Sequence, residues 1–228
     1  LTTLFFMSIQ HQIHTLHKAL PADAQLVAVS KFHPVEALRE AYDAGQRIFG
    51  ESRVQELVEK QQVMPQDIEW HFIGHLQQNK VKYIAPFVAL IHGVDSEKLL
   101  IEIDKQGRRF DRRVPCLLQL QVAREESKFG FTPNKAREYL TSGVWRDLSH
   151  VELRGIMCMA SFTEEQQIIR QEFTIAHEFF KWAKHEYFAD SPNFNICSWG
   201  MSEDYPIALE CGSNMVRIGT KIFGEREY

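Results

Sequence analysis

The stretch LVAVSKFHPVEALREAYDAGQRIFG, residues 26–50, decides the fold. Its first four residues are an unbroken apolar run, the pattern of a strand buried on both faces. Pro34 suits a first helical turn. Val35, Leu38, Ala41 and Tyr42 then recur at helical spacing, and Gly45 stops the helix. RIFG, residues 47–50, is the second strand. A strand, a helix and a second strand in this order make one parallel unit. The first strand runs out through Ser30 into Lys31. A buried ammonium is costly unless paired. Lys31 therefore either marks an exit into solvent or is an amine set at a strand end for chemistry. The nonapeptide at residues 26–34 by itself favours the first reading.

The unit repeats. EWHFIG (69–74), VALIHGV (88–94), VPCLLQLQV (114–122), VELRGIMCM (151–159), FNICSW (194–199) and MVRIG (215–219) are further strands. Helical patterns separate them over residues 51–61, 76–85 and 96–107. A long helix before the seventh strand carries Ile169, Phe173, Ala176, Phe180 and Ala183 as one apolar stripe. A helix over about residues 7–20 precedes everything, and a short turn follows Ile222. Eight such units in 228 residues, close to the usual ~250, point to a closed (β/α)8 TIM barrel with an extra N-terminal helix. One domain over residues 1–228 is expected, with residues 1–6 an upstream extension if Met7 is the initiator. An open doubly wound sheet is the alternative. No glycine-rich dinucleotide fingerprint follows the first strand to support it.

The chain is 44% hydrophobic and 25% charged, with a net charge of −4, so no basic field calls for nucleic acid. No apolar run approaches the ~20 residues that span a bilayer. Cys116, Cys158, Cys197 and Cys211 lie far apart with no CxxC pair, which fits reduced core thiols in a cytoplasmic protein. His11, His14 and His17 recur every three residues, but no acidic or cysteine ligand stands among them, and surface histidines explain them better than a metal.

In such barrels the working residues sit at the C-terminal ends of the strands. Those ends supply Lys31, then Gly50, Glu51 and Ser52, then Gly74 and His75, then Asp95. The fifth runs into REESKFG. The seventh gives Ser198, Trp199 and Gly200, and the eighth Arg217, Gly219 and Thr220. The last two loops match the recurring phosphate site of the architecture. Ordinary helix capping by Ser202 and Thr220 explains each loop equally well alone. A lysine across the mouth from a phosphate grip and an arginine is a more specific set. It suits an aldehyde that carries a phosphate, and pyridoxal phosphate fits.

The blocks AVSKFHP, FGESRVQE, WHFIGHLQQNK, EESKFGF, CSWGMSEDY and GSNMVRIGTKIFGER, in this order, resemble the pyridoxal phosphate homeostasis family. Its members look like the barrel domain of alanine racemase standing alone. The resemblance implies that Lys31 carries pyridoxal 5'-phosphate as a Schiff base and that Arg217 faces the pyridine nitrogen. It implies that Ser198, Gly219 and Thr220 hold the phosphate, and that Ser52 and His75 lie near the cofactor. Three positions depart from the family pattern. Ser52 replaces an asparagine, Trp199 a methionine, and Ser161 a proline.

The expected function is a cytoplasmic, monomeric binding protein for pyridoxal phosphate, with dependent apo-enzymes as further partners and neither nucleic acid nor membrane among them. An amino-acid racemase is the alternative. Its second proton-transfer group belongs, in the racemases the resemblance points to, to a separate β domain, and no such domain follows the eighth strand in this sequence. A phosphosugar barrel enzyme with a Schiff-base lysine is a third reading. Glu125 and Glu126 read as part of a solvated charged loop.

Overall fold

The apolar run of residues 26–29 is the first stave of a closed barrel. A computed structural model of the chain describes residues 8–125 and 129–225. Helix α1 (Ile9–Ala19) precedes strand β1 (Gln25–Val29). There follow α2 (Val35–Asp43), β2 (Ile48–Glu51), α3 (Val54–Val63), β3 (Glu69–Phe72), α4 (Val81–Ile84), β4 (Leu90–Val94), α5 (Glu97–Arg109) and β5 (Val114–Leu120). The second half runs α6 (Pro133–Ser142), β6 (Val151–Cys158), α7 (Gln166–Tyr187), β7 (Ile196–Ser198), α8 (Tyr205–Glu210), β8 (Met215–Ile218) and α9 (Thr220–Phe223). The strands pair in sequence order, and β8 returns to β1 with Leu26 opposite Val216 and Val27 opposite Arg217. All pairs are parallel, and the β8–β1 pair closes the sheet so that it has no open edge. The expected (β/α)8 barrel with its extra N-terminal helix is the observed one.

Side chains alternate along each strand, and the core divides accordingly. Leu26, Ala28, Phe49, Trp70, Phe72, Val216 and Ile218 point outward into the layer shared with the helices. Val27, Leu90, Leu117, Met157, Ile196 and Met215 fill the lumen. Arg217 stands two residues beyond Met215, on the lumen row of β8. Lys31 lies two residues beyond Val29, the last residue of β1, in the turn that leaves the strand. These two strand ends position the candidate site.

Three local expectations change. The stretch 76–85 folds as a 3-10 turn and the single-turn α4, with Gln77 before them still extended. In α7 the buried phenylalanines are Phe173 and Phe179, while Phe180 lies half-buried at the edge and stacks on Phe194 at 5.4 Å. The last helix begins at Thr220, before Ile222 and not after it. All four cysteines are buried and free. His11, His14 and His17 are exposed on α1, where His17 meets the Gln46 side chain at 3.1 Å. Among the described residues no helix is long and apolar enough to cross a membrane. Residues 1–7 and 126–128 lie outside the described residues, and with them the upstream extension and Glu126.

Candidate cofactor site

Lys31 sits one residue past Ser30, whose N–H still bonds Gly50 O at 3.1 Å, so the amine emerges where β1 leaves the sheet. It is half-buried, in a turn closed by His33 N–H on Ser30 O at 3.1 Å. The adjacent strand supplies the rest of this edge. Arg217 is 4% exposed. Nη1 donates to Ser198 O at 2.8 Å and to Ser198 Oγ at 2.7 Å, and Nη2 donates to Cys158 O at 3.0 Å. A guanidinium has five N–H donors. These bonds use three of them and leave two among the described residues. Burial pulls the Arg217 pKa down from its ordinary value, yet arginine keeps its charge in any ordinary medium.

Gly219 follows Arg217 by two residues and packs against β1. A Cβ there would lie 3.1 Å from Val29 O and 3.2 Å from Val29 Cβ. A side chain at position 219 would thus press on β1, and glycine keeps this stretch of backbone bare. The Ile222 and Phe223 N–H groups both return to Gly219 O. Thr220 is exposed at the same end.

The structure brings Ser198 to Arg217 and not to the solvent-facing part of the mouth. Ser198 is fully buried in the lumen, and its hydroxyl also meets His92 Nδ1 at 3.0 Å. His92 Nε2 meets His71 Nδ1 at 3.0 Å. The run that gives the Ser198 proton an acceptor is directional. Arg217 donates to Ser198 Oγ, Ser198 O–H donates to His92 Nδ1, and His92 Nε2–H donates to His71 Nδ1. Both imidazoles are neutral in this run. Burial drives His71 down to about 3, with the Arg154 charge acting in the same sense. Burial likewise drives His92 well below its usual value, helped by His71 and Arg217. Sequence reading missed both histidines. The available signal was a histidine at the lumen position of an otherwise apolar strand, in EWHF and again in LIHGV.

On the far side of the mouth, His75 Nδ1 meets Asp95 Oδ2 at 2.8 Å, and its ring stacks on Phe129 at 3.9 Å. Ser52 follows β2 beside Gly74, where a Cβ would meet Ser52 O at 2.6 Å. Beneath Lys31 lies a second unpredicted group, Glu51 with Lys60 and Glu56. Lys60 Nζ meets Glu51 Oε1 and Glu56 Oε1, each at 2.7 Å. Burial pushes the Glu51 carboxyl up to about 7, against the pull of Lys60 and of the Ser30 hydroxyl.

A lysine amine, a buried guanidinium with donors to spare and a bare glycine backbone at the ends of β1 and β8 fit a phosphorylated aromatic aldehyde. The comparisons with known proteins agree. Residues 7–227 match the family described as alanine racemase, N-terminal domain. The chain is 38% identical over 224 residues to the pyridoxal phosphate homeostasis protein of Pasteurella multocida, covering 97% of this chain and 94% of that protein. The chain belongs to the pyridoxal phosphate homeostasis protein family. The structure of PipY from Synechococcus elongatus PCC7942, solved with PLP bound, has a TM-score of 0.86 at 34% identity. It matches over 95% of this chain and 100% of that one. Alanine racemase from Streptomyces coelicolor A3(2) has a TM-score of 0.80 at 15% identity, over 95% of this chain and 57% of that chain, a likeness of fold alone.

Two departures from the family pattern have physical accounts. Trp199 is fully buried and points outward from β7, with its ring 6.2 Å from His177 of α7, so its bulk stays out of the lumen. Ser161 N–H donates to Glu172 Oε2 at 2.6 Å and its hydroxyl to Glu172 Oε1 at 2.7 Å. A proline could make neither bond. Ser161 Oγ also accepts from Arg124 N–H at 2.9 Å, tying the loop after β6 to the loop after β5. Glu125 belongs to the same junction. It is half-buried and accepts Phe162 N–H at 2.8 Å, so it is more than a solvated charge. Nothing in the structure explains serine at position 52.

Proposed function

We propose that this chain holds pyridoxal 5'-phosphate as a Schiff base on Lys31 and acts in the intracellular homeostasis of that cofactor, as a binding protein and not as an enzyme. One observation carries the reading. Arg217 lies on the lumen row of β8 opposite Val27 of β1, and Lys31 and Gly219 follow directly beyond the ends of these two paired strands, with a Cβ at Gly219 crowded by Val29. When bound, the cofactor supplies an aldehyde to the amine and a ring that can take up electron density. Arg217 offers its remaining N–H donors to the ring nitrogen. Gly219 lets the backbone approach the phosphate, and Thr220 adds a hydroxyl. Ser198 serves the site through Arg217, since its hydroxyl is already engaged there. Ser52 and His75 flank the ring from the β2 and β3 ends. The names of the relatives and the PLP-bound PipY support the same cofactor. A cytoplasmic location, a monomeric single-domain state and delivery to dependent apo-enzymes complete the proposal. Four buried free thiols support the first of these.

The test is an absorbance spectrum of the purified chain with pyridoxal phosphate, before and after borohydride, with the labelled peptide mapped. A visible band that borohydride bleaches, and a label on Lys31, are expected. No band, or a label elsewhere, overturns the reading.

The phosphate grip has its own test. Gly219→Val places three carbons where a Cβ alone already crowds Val29. It should weaken pyridoxal phosphate binding at least ~10-fold and weaken unphosphorylated pyridoxal far less. Equal losses for both would put the phosphate elsewhere.

Arg217 also bears on the choice between binding protein and racemase. A guanidinium can neither receive a proton nor give one up at ordinary pH, so it leaves the pyridine nitrogen unprotonated and the ring a weaker electron sink. Added alanine or serine should change the spectrum without sustained racemisation. Chiral analysis after long incubation checks this, and turnover in the common enzymatic range of ~1–10³ s⁻¹ would promote the racemase alternative.

A further inference from the structure

The turn that presents Lys31 is strained, and something holds it. Ser30 O and His33 N–H close it, with Lys31 and Phe32 at its centre. Phe32 has φ +67°, in the left-handed region that such a turn usually gives to glycine. A bulky residue stays there only where its surroundings over-determine the conformation, and such strain gathers at functional sites.

The surroundings are an ion cluster on β2 and α3. An ammonium has three donors, and Lys60 has three acceptors: Ser30 O at 2.8 Å, Glu51 Oε1 at 2.7 Å and Glu56 Oε1 at 2.7 Å. Ser30 Oγ donates to Glu51 Oε1 at 2.6 Å. Phe32 N–H donates to Glu56 Oε1 at 2.6 Å, and the Arg53 guanidinium lies 4.5 Å from the centre of the Phe32 ring. The residue before Lys31 and the residue after it are therefore tied to one cluster. Glu56 and Lys60 are four apart on α3, the spacing of an ordinary exposed pair that supports its own helix. Here Lys60 and Glu51 are buried, which costs far more than such a pair returns. That cost points to a geometric role outside the helix.

We infer that Glu51, Lys60 and Glu56 form a positioning clamp that fixes the Ser30–His33 turn, with Phe32 left-handed, and so sets the aim of Lys31 Nζ. The inference rests on Lys31 as the attachment point. In attachment the lysine nitrogen bonds the aldehyde carbon, and the carbonyl oxygen leaves as water with the two amine protons. No oxidant or reductant takes part. A misplacement of about 1 Å in such a step can cost on the order of 10²-fold in rate.

The test uses the full chain freed of cofactor, with Glu56→Ala and Glu56→Gln. The Glu56 side chain is partly exposed, so both variants should fold, and a melting curve checks that. Two quantities are read: hydrogen exchange at the Phe32 amide without cofactor, and the rate of borohydride-trappable adduct formation with pyridoxal phosphate well below the melting temperature. Glu56→Ala should speed Phe32 exchange ~10-fold or more and slow adduct formation ~10–100-fold. Glu56→Gln should recover part of both, because its amide oxygen can still accept the Phe32 N–H. An adduct rate in Glu56→Ala within about twofold of wild type overturns the clamp, whatever the melting temperature does. So does a slower rate with Phe32 exchange unchanged. If the wild-type adduct maps to a residue other than Lys31, the cofactor reading fails separately. Phe32 exchange then still decides whether the cluster holds the turn.

Discussion

Lys31→Ala removes the visible band that pyridoxal phosphate develops on the wild-type chain, together with the adduct that borohydride traps. The expected loss is complete, because no other group replaces the amine nitrogen in a Schiff base. The fold should survive. Lys31 is half-buried in a turn, and the bonds that hold this turn come from Ser30 and the Phe32 backbone, which alanine at position 31 leaves in place. Weak non-covalent binding should persist through Arg217 and the backbone at Gly219, seen as ligand-dependent thermal stabilisation without a visible band. The measurement is adduct stoichiometry by mass after borohydride, on wild type and variant side by side. A variant that traps the cofactor at wild-type stoichiometry removes Lys31 from the site. Lys60 is the control for specificity. Its Nζ is saturated by three acceptors and buried, so it should carry no label in either protein.

The barrel was legible because its signal is periodic. Eight apolar runs separated by helical patterns admit few parallel arrangements, and the strand ends then follow by counting. The positions of Lys31, Arg217 and Gly219 at or just beyond the ends of β1 and β8 were legible for the same reason. The interior network was not. His71 and His92 lie near each other only after β3 and β4 pair, and His92 reaches Ser198 across 106 positions of sequence. Nor could side-chain direction be read at Ser198. A hydroxyl at a strand end suits a phosphate, yet it points into the lumen and braces Arg217. The clamp escaped for another reason. FGESRVQELVEK reads as a strand end followed by a charged helix face, and Glu56 with Lys60 as a solvent pair. The strand end at Glu51 brings the lysine inward, beneath the turn it ties.

The buried histidine pair predicts an acid-labile fold. His71 is held near 3 in the native state and returns to about 6.5 when unfolded. Below pH 6.5 the unfolded chain accepts a proton that the fold refuses, so the unfolded state binds more protons. Stability is full above this value and falls as the pH drops from about 6.5 towards 3. At pH 4.5 the interval is about two pH units, or about 3 kcal/mol from His71 alone. His92 is lowered for the same cause and acts in the same direction. Such a loss is a large share of a usual total of ~5–15 kcal/mol. Glu51 works oppositely. Its native pKa near 7 lies above its unfolded value, so the fold binds more protons between about 4.5 and 7 and gains stability there as the pH falls. The wild-type slope thus understates the histidine effect, and the comparison must be made against a variant. His71→Gln cannot take the proton in either state, and its amide can still bond His92. Urea unfolding of both proteins at pH 7.5 and pH 4.5 gives the difference. Wild type should lose about 3 kcal/mol more than His71→Gln between the two. An identical loss in both would mean that His71 is already charged in the fold at pH 4.5. The directional chain from Arg217 through Ser198 and His92 could not then stand as described at that pH, because a charged His71 has no lone pair left to accept the His92 N–H.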